Sequence, residues 1–310
     1  MVKNLFLKST TGALKRQNCC GSIKAGPDKM YAPSAKIPRV IINADDFGLN
    51  RDINRAISAL VAAGIVSSTS VMANMPACDE ILQLAHQVGV GIHFNLTTGK
   101  PLESGSAVST LIAQDGHFFD VQSLFRRLAI ARLSPAHIEK ELGAQVEKLI
   151  GLGITPDHAD AHESLLKHPI LAKIIYKVMR KYDIHAVRTY CPLHPAWNLQ
   201  HPRRVLYTSF YMLQRRLWKN NGFRVVHKYA SLFAAGLDES DAIKRLAALF
   251  QNLSGGCVEI VVHPGLVKNH DPSLGSYVHE RLAEYHALMS TQFKHIRENA
   301  SFELCRFSDL

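Results

Sequence analysis

From Arg39 onward, short apolar runs alternate with amphipathic stretches, and that rhythm predicts the architecture. "RVIIN" (39–43) reads as a strand and "DINRAISALVAAG" (52–64) as a helix stopped at Gly64. "SSTSVMAN" (67–74) reads as a strand, "CDEILQLAHQ" (78–87) as a helix and "VGVGIHFNL" (88–96) as a strand. Ser134 caps a helix with Pro135 in its first turn, which runs through "IEKELGAQVEKLIGLG". "DHADA" (157–161) ends a strand, "HPILAKIIYKVMRKYD" (168–183) is helical and "HAVRTY" (185–190) is a strand. A helix at "ESDAIKRLAALFQNL", a strand at "CVEIVVHPG", a helix at "VHERLAEYHALMS" and a closing strand near "FELCRF" complete the series.

About seven strands alternating with helices predict an α/β fold, a distorted or incomplete (β/α) TIM-like barrel forming a single domain over residues 37–310. Two stretches fall outside the rhythm. Residues 98–130 read as an insertion punctuated by Gly and Pro, and residues 192–235 are basic and aromatic with no clean period.

Composition adds little to this picture, but charge adds something. With 47% hydrophobic and 20% charged residues the chain has the make-up of an ordinary globular protein, and no apolar run is long enough to span a membrane. The formal charge is +10, yet residues 1–36 hold seven cations against Asp28 alone, a net of +6, so only +4 is left for the barrel. The N-terminal segment is expected to be a basic flexible tail, with an organellar presequence as the sharper alternative. The six cysteines include no C-x-x-C pair, so reduced thiols and a cytoplasmic protein are expected.

In a barrel of this kind the reactive residues stand at the carboxyl ends of strands. Asp45 and Asp46 stand at such an end, in "VIINADDFGLN", where two adjacent buried carboxylates call for a nearby cation. His93 closes the third strand, His158 and His162 bracket Asp160 in "DHADAH", and His263 closes "VEIVVHPG". One carboxylate with two imidazoles is a donor set for a hydrolytic divalent metal. Each segment alone also has a plainer reading: the Asp pair as a helix cap, His93 as a hydrogen-bonded core residue, "HADAH" as a solvated loop.

The blocks "NADDFGLN", "GIVSSTSVMANMP", "VGIHFNLTTGKPL", "DGHFF", "DHADAH" and "VEIVVHPG" resemble, in order and spacing, the YdjC-like carbohydrate deacetylases, the family that includes chitooligosaccharide deacetylase. The resemblance implies a distorted (β/α) barrel that removes N-acetyl groups from amino sugars with a divalent metal ion, Mg2+ or Zn2+. It implies Asp46, His93 and His162 as metal ligands, Asp45 as catalytic base and His263 as the acid for the leaving amine. It also implies Arg188, in "AVRTY", as an arginine that abuts the site and keeps a carboxylate ionised. One departure stands out: after His162 the chain runs "HESLLKHP", where the family commonly has further histidines.

The expected partner is thus a small N-acetylated carbohydrate, with no membrane span and with a homodimer open. Two further classes stay open: another metal-dependent hydrolase, such as a phosphoesterase or non-sugar amidase, and a non-catalytic binding protein. A nucleic-acid role for "HPRRVLYTSFYMLQRRLWK" is not expected, because its mixed apolar spacing better suits a substrate cleft or dimer surface.

Overall fold

The computed structural model describes residues 37–193, 202–253, 255–267 and 277–310. The expected basic tail at 1–36 lies outside the described residues. The chain lays down a parallel sheet: β1 (Arg39–Phe47), β2 (Ser68–Val71), β3 (Gly89–Phe94), β4 (Ala159–Ala161), β5 (Ala186–Val187), β6 (Arg224–Val225), β7 (Lys228–Ser231), β8 (Cys257–Val262) and β9 (Glu303–Leu304). Between them run helices α1 (Arg51–Ala62), α2 (Val121–Ala129), α3 (Pro135–Gly151), α4 (Pro169–Lys181), α5 (Pro202–Asn220), α6 (Glu239–Gln251), α7 (Val278–Met289) and α8 (Thr291–Asn299).

The strand order is β6-β5-β4-β3-β2-β1-β8-β7, with β9 beside the start of β1. Just past β5 the chain closes the ring: Leu193 N–H donates to Tyr229 O at 3.0 Å, and Tyr229 N–H donates to Cys191 O at 2.7 Å. Seven strands therefore form a distorted (β/α) barrel, as the sequence predicts, and the two extra strands, β6 and β9, are two-residue pairings on β5 and β1.

A two-residue period sorts side chains between the layers. On β1, Val40, Ile42 and Ala44 join the large apolar core beneath the helices, while Ile41 belongs to a small separate cluster with Ala186, Val226, Cys257, Cys305 and Phe307. That cluster plugs the barrel interior below a polar layer of Asn43, Ser70, Asp160, Arg188 and Glu259, all buried. Strands buried on both faces read as continuous apolar runs, which is why "RVII" and "CVEIVV" were visible in the sequence.

Two expectations need revision. "CDEILQLAHQ" forms a 3-10 turn over Cys78–Gln83 rather than an α-helix, and its buried Cys78, Ile81 and Leu84 follow the three-residue period of that conformation. The stretch without a period contains α5, nineteen residues long, with only Thr208, Gln214 and Trp218 buried among its described side chains. Its leucines point outward, so apolar pattern and core face do not coincide.

Gly91 reports how tightly the interior is packed. A Cβ there would lie 2.3 Å from the His158 ring, which is stacked on Phe307 with centroids 3.9 Å apart and bound by Asp157 at 2.5 Å. The ring cannot retreat. Gly91→Ala is expected to destabilise the fold by about 2–3 kcal/mol, whereas Gly151→Ala, at the end of α3 with open space around it, is expected to be neutral or stabilising by up to about 1 kcal/mol. Urea unfolding of the two variants measures the contrast, and equal stabilities would contradict this packing.

Candidate functional site

The site lies at the carboxyl ends of β1, β3, β4, β5 and β8. Strict alternation along β1 would send Asp45 and Asp46 to opposite faces. Instead the pairing with β2 slips between Ala44 and Phe47, and Asp46 takes a left-handed backbone with φ of 70°. A bulge of this kind re-aims a side chain, and both carboxylates turn into one cavity. Asp tolerates the conformation better than most residues because its short side chain bonds locally.

Arg188 organises the layer below. Its Nη1 donates to Asp45 Oδ2 and its Nη2 to Asp45 Oδ1, each at 2.7 Å. Nη2 also lies 2.7 Å from Asp160 Oδ2, and Nε donates to Glu259 Oε1 at 2.7 Å. Asn43 Nδ2 donates to Asp45 Oδ1 at 2.8 Å, and Ser70 Oγ to Asp160 Oδ2 at 2.6 Å. Burial opposes the charge on Arg188, but Asp160, Asp45 and Glu259 outweigh it and hold the guanidinium protonated well above its ordinary range. Burial pushes Glu259 up to about 7 in spite of that contact.

Above this layer, two imidazoles converge on one oxygen. His162 Nδ1 lies 3.0 Å and His93 Nε2 3.3 Å from Asp46 Oδ1. His93 Nδ1 donates to Asp160 Oδ1 at 2.6 Å, which fixes the ring and leaves Nε2 facing the cavity. The second Asp46 oxygen accepts from Arg281 Nη2 at 2.5 Å. Burial would raise the Asp46 pKa, yet Arg281, His162 and His93 hold it well below the usual carboxylate range. Burial likewise opposes a charged His93, and the carboxylates of Asp160, Asp45 and Asp46 override it, raising the ring to about 10.

These residues fit a divalent cation. Asp46, His93 and His162 each present a donor atom, all within 4.8 Å of one another. Among the described residues, the four buried carboxylates Asp45, Asp46, Asp160 and Glu259 meet two guanidiniums, Arg188 and Arg281. The three aspartates around the His93 ring, Asp45, Asp46 and Asp160, draw this buried imidazole into its protonated form. Asp45, His93 and Asp160 make a second convergent set, but Arg188 already satisfies both carboxylates there.

His263 completes the rim. Its Nε2 lies 3.7 Å from Asp45 Oδ2, its ring meets Phe233 edge-on, and its backbone N–H donates to Glu284 Oε2 at 2.6 Å. Shielding in the pocket wall pushes the ring down to about 4, although Asp45 and Asp46 pull the other way. The cavity holds about 560 Å³ and has an aromatic wall of Tyr190, Tyr229, Phe233 and Tyr277.

The six residues given a role by the resemblance, Asp45, Asp46, His93, His162, Arg188 and His263, line this one cavity. His158 does not; it lies in the plug against Phe307. Sequence reasoning assigned no role to Asp160, Glu259, Arg281 or Glu284. Glu259 carried a signal, as an acid inside an apolar strand four residues before His263. Arg281 and Glu284 carried none, because charges on a helix ordinarily mark its solvent face.

The YdjC-like protein family model matches residues 39–299. The chain belongs to this family. A carbohydrate deacetylase from Vibrio cholerae is 30% identical over 275 residues, covering 88% of this chain and 96% of that protein. One from Geobacillus stearothermophilus is 37% identical over 157 residues, 49% of this chain and 61% of that protein. A solved structure from Enterococcus faecalis, described as a candidate cellobiose-phosphate cleavage protein, shares the fold with a TM-score of 0.69, 23% identity and coverage of 88% of this chain and 98% of that one. No helix among the described residues is long and apolar enough to cross a membrane.

Replacing Arg188 leaves three buried carboxylates without their cation. Arg188→Met is expected to cost about 3–5 kcal/mol, the scale of breaking a buried ion pair on one side. Chemical denaturation with chelator present measures it, and a loss below about 1 kcal/mol would show that the carboxylates find other partners.

Proposed function

We propose that this protein is a metal-dependent hydrolase that removes the N-acetyl group from an amino sugar or N-acetylated oligosaccharide. The observation that carries the reading is the pairing, at one strand end, of a carboxylate facing two imidazoles with a second carboxylate facing a third imidazole. Membership of the YdjC-like family and kinship with proteins named carbohydrate deacetylases support it.

Asp46, His93 and His162 are the residues suited to hold the ion, and two imidazoles favour Zn2+ over Mg2+, which prefers oxygen donors. Bound there, a divalent ion supplies Lewis acidity to the acetyl carbonyl and to water. Asp45, oriented by the fork of Arg188, takes the proton of the attacking water. An amine leaves poorly unless protonated, so a proton must reach the sugar nitrogen. His263 faces Asp45 across 3.7 Å, and burial lowers its pKa to about 4, which makes its protonated ring a strong donor, suited to hand a proton to the sugar nitrogen. The aromatic wall offers flat apolar faces for the sugar rings.

Acetate release from a panel of N-acetylated sugars, with and without chelator, tests the reaction, and no release from any member would sink it. Asp45→Asn is expected to keep its metal by elemental analysis while turnover falls by about a hundredfold or more. His93→Ala and His162→Ala are expected to lose the metal itself. Metal loss in Asp45→Asn together with retention in Asp46→Asn would exchange the two roles.

For His263→Ala the metal is expected to remain and amide turnover to fall by about a hundredfold. The deficit should shrink on an activated ester, whose leaving group departs without a proton. An equal deficit on amide and ester would reduce His263 to a positioning role.

A further inference from the structure

The outer face of α5 carries a pattern that the pocket does not use. Leu206, Phe210, Leu213 and Leu217 recur at intervals of four, three and four, which aligns them along one side of a helix. The row faces outward: Leu206 is 68% exposed, Leu213 56% and Leu217 53%. On the opposite side, Thr208, Gln214 and Trp218 are buried. Phe210, Leu213 and Leu217 of the row also line a largely apolar groove of about 220 Å³ between α4 and α5. Contiguous exposed apolar surface of this kind marks an interaction site.

Charge selects the partner. Helices α4 and α5 together carry nine Lys and Arg and no Asp or Glu. Lys177 and Lys181 reach Glu139 and Glu147 on α3 at 3.7 and 3.8 Å. Lys173, Arg203, Arg204, Arg216 and Lys219 have no acidic partner among the described residues. With about 100° per residue, Arg203 and Arg216 fall on the two sides of the leucine row. A second copy of α5 would set one acid-free basic helix against another, which like-charge repulsion disfavours. A partner helix seated in the groove, which runs along the Phe210–Asn221 half of α5, would leave Leu206 and Tyr207 uncovered.

We propose that α5 is a docking surface for an anionic phospholipid bilayer. The leucine row enters the boundary of the acyl layer, and the flanking arginines meet lipid phosphates, the geometry of an interfacial amphipathic helix. Its inner side packs on the wall of the cavity: Tyr211 meets Tyr190 with centroids 6.0 Å apart, and Gln214 Nε2 donates to Leu166 O at 2.9 Å. Docking through α5 therefore holds the cavity close to the lipid surface.

Co-sedimentation of the full chain with vesicles tests this without reference to turnover, so its outcome is independent of the deacetylase reading. The protein is expected to pellet with mixed phosphatidylcholine and phosphatidylserine vesicles and to stay in solution with pure phosphatidylcholine. Leu213→Glu combined with Leu217→Glu, at positions more than half exposed, is expected to cut binding by about tenfold or more. Arg203→Ala with Arg216→Ala should move release to lower salt. Circular dichroism and thermal melting verify that the variants stay folded. Three results would each overturn the proposal: no binding to phosphatidylserine vesicles, binding that survives both sets of substitutions, or a dimer by light scattering that the leucine substitutions split.

Discussion

Arg188 stands between three buried carboxylates, and much of the molecule is arranged by how its donors are divided among them. Two nitrogens grip Asp45 on β1, one of them also reaches Asp160 on β4, and the third meets Glu259 on β8. The guanidinium is planar and rigid, so contacts in three directions fix three strands relative to the end of β5, where Arg188 itself sits. Burying such charges costs several kcal/mol per ion unless each is paired. What the network contributes is therefore geometric uniqueness more than net stability, and the apolar layer beneath the helices supplies the latter.

The chemistry above that layer follows from an imbalance. Arg188 and Arg281 leave the three aspartates Asp45, Asp46 and Asp160 under-neutralised, and His93 responds by holding a proton far above its ordinary range. The same excess of negative charge, next to two imidazole nitrogens and an Asp46 oxygen, is what a divalent cation would relieve. The bulge at Asp46 makes it possible, because it brings two sequential carboxylates to one face and gives each a different neighbour: imidazoles for Asp46, a guanidinium and a third imidazole for Asp45.

The layers of the interior also explain the one histidine that left the site. Asp160 on β4 and the residues that flank the strand, His158 and His162, occupy alternate positions and all point into the barrel, but each rise of two residues moves a side chain up one layer. His158 therefore meets the plug formed by Phe307, Asp160 meets Arg188, and His162 reaches the cavity.

The parallel barrel was legible because doubly buried strands and amphipathic helices each leave a local period, and so was the placement of Asp45, His93, His162 and His263 at strand ends. The individual roles proposed for those residues rest on family resemblance, since adjacency in sequence does not tell Asp45 from Asp46. Helix α5 was missed because its most apolar side faces outward, and periodicity reports where the apolar side is without telling what covers it. Only the tertiary structure decided the slip of register at Asp46, the closure of the ring through Pro192 and Tyr229, and the arrival of Arg281 from α7 beside a carboxylate 235 residues earlier. Each depends on distances between segments remote in the chain. A periodic pattern encodes which way a side chain points within its own element, and carries no record of what another element brings to meet it.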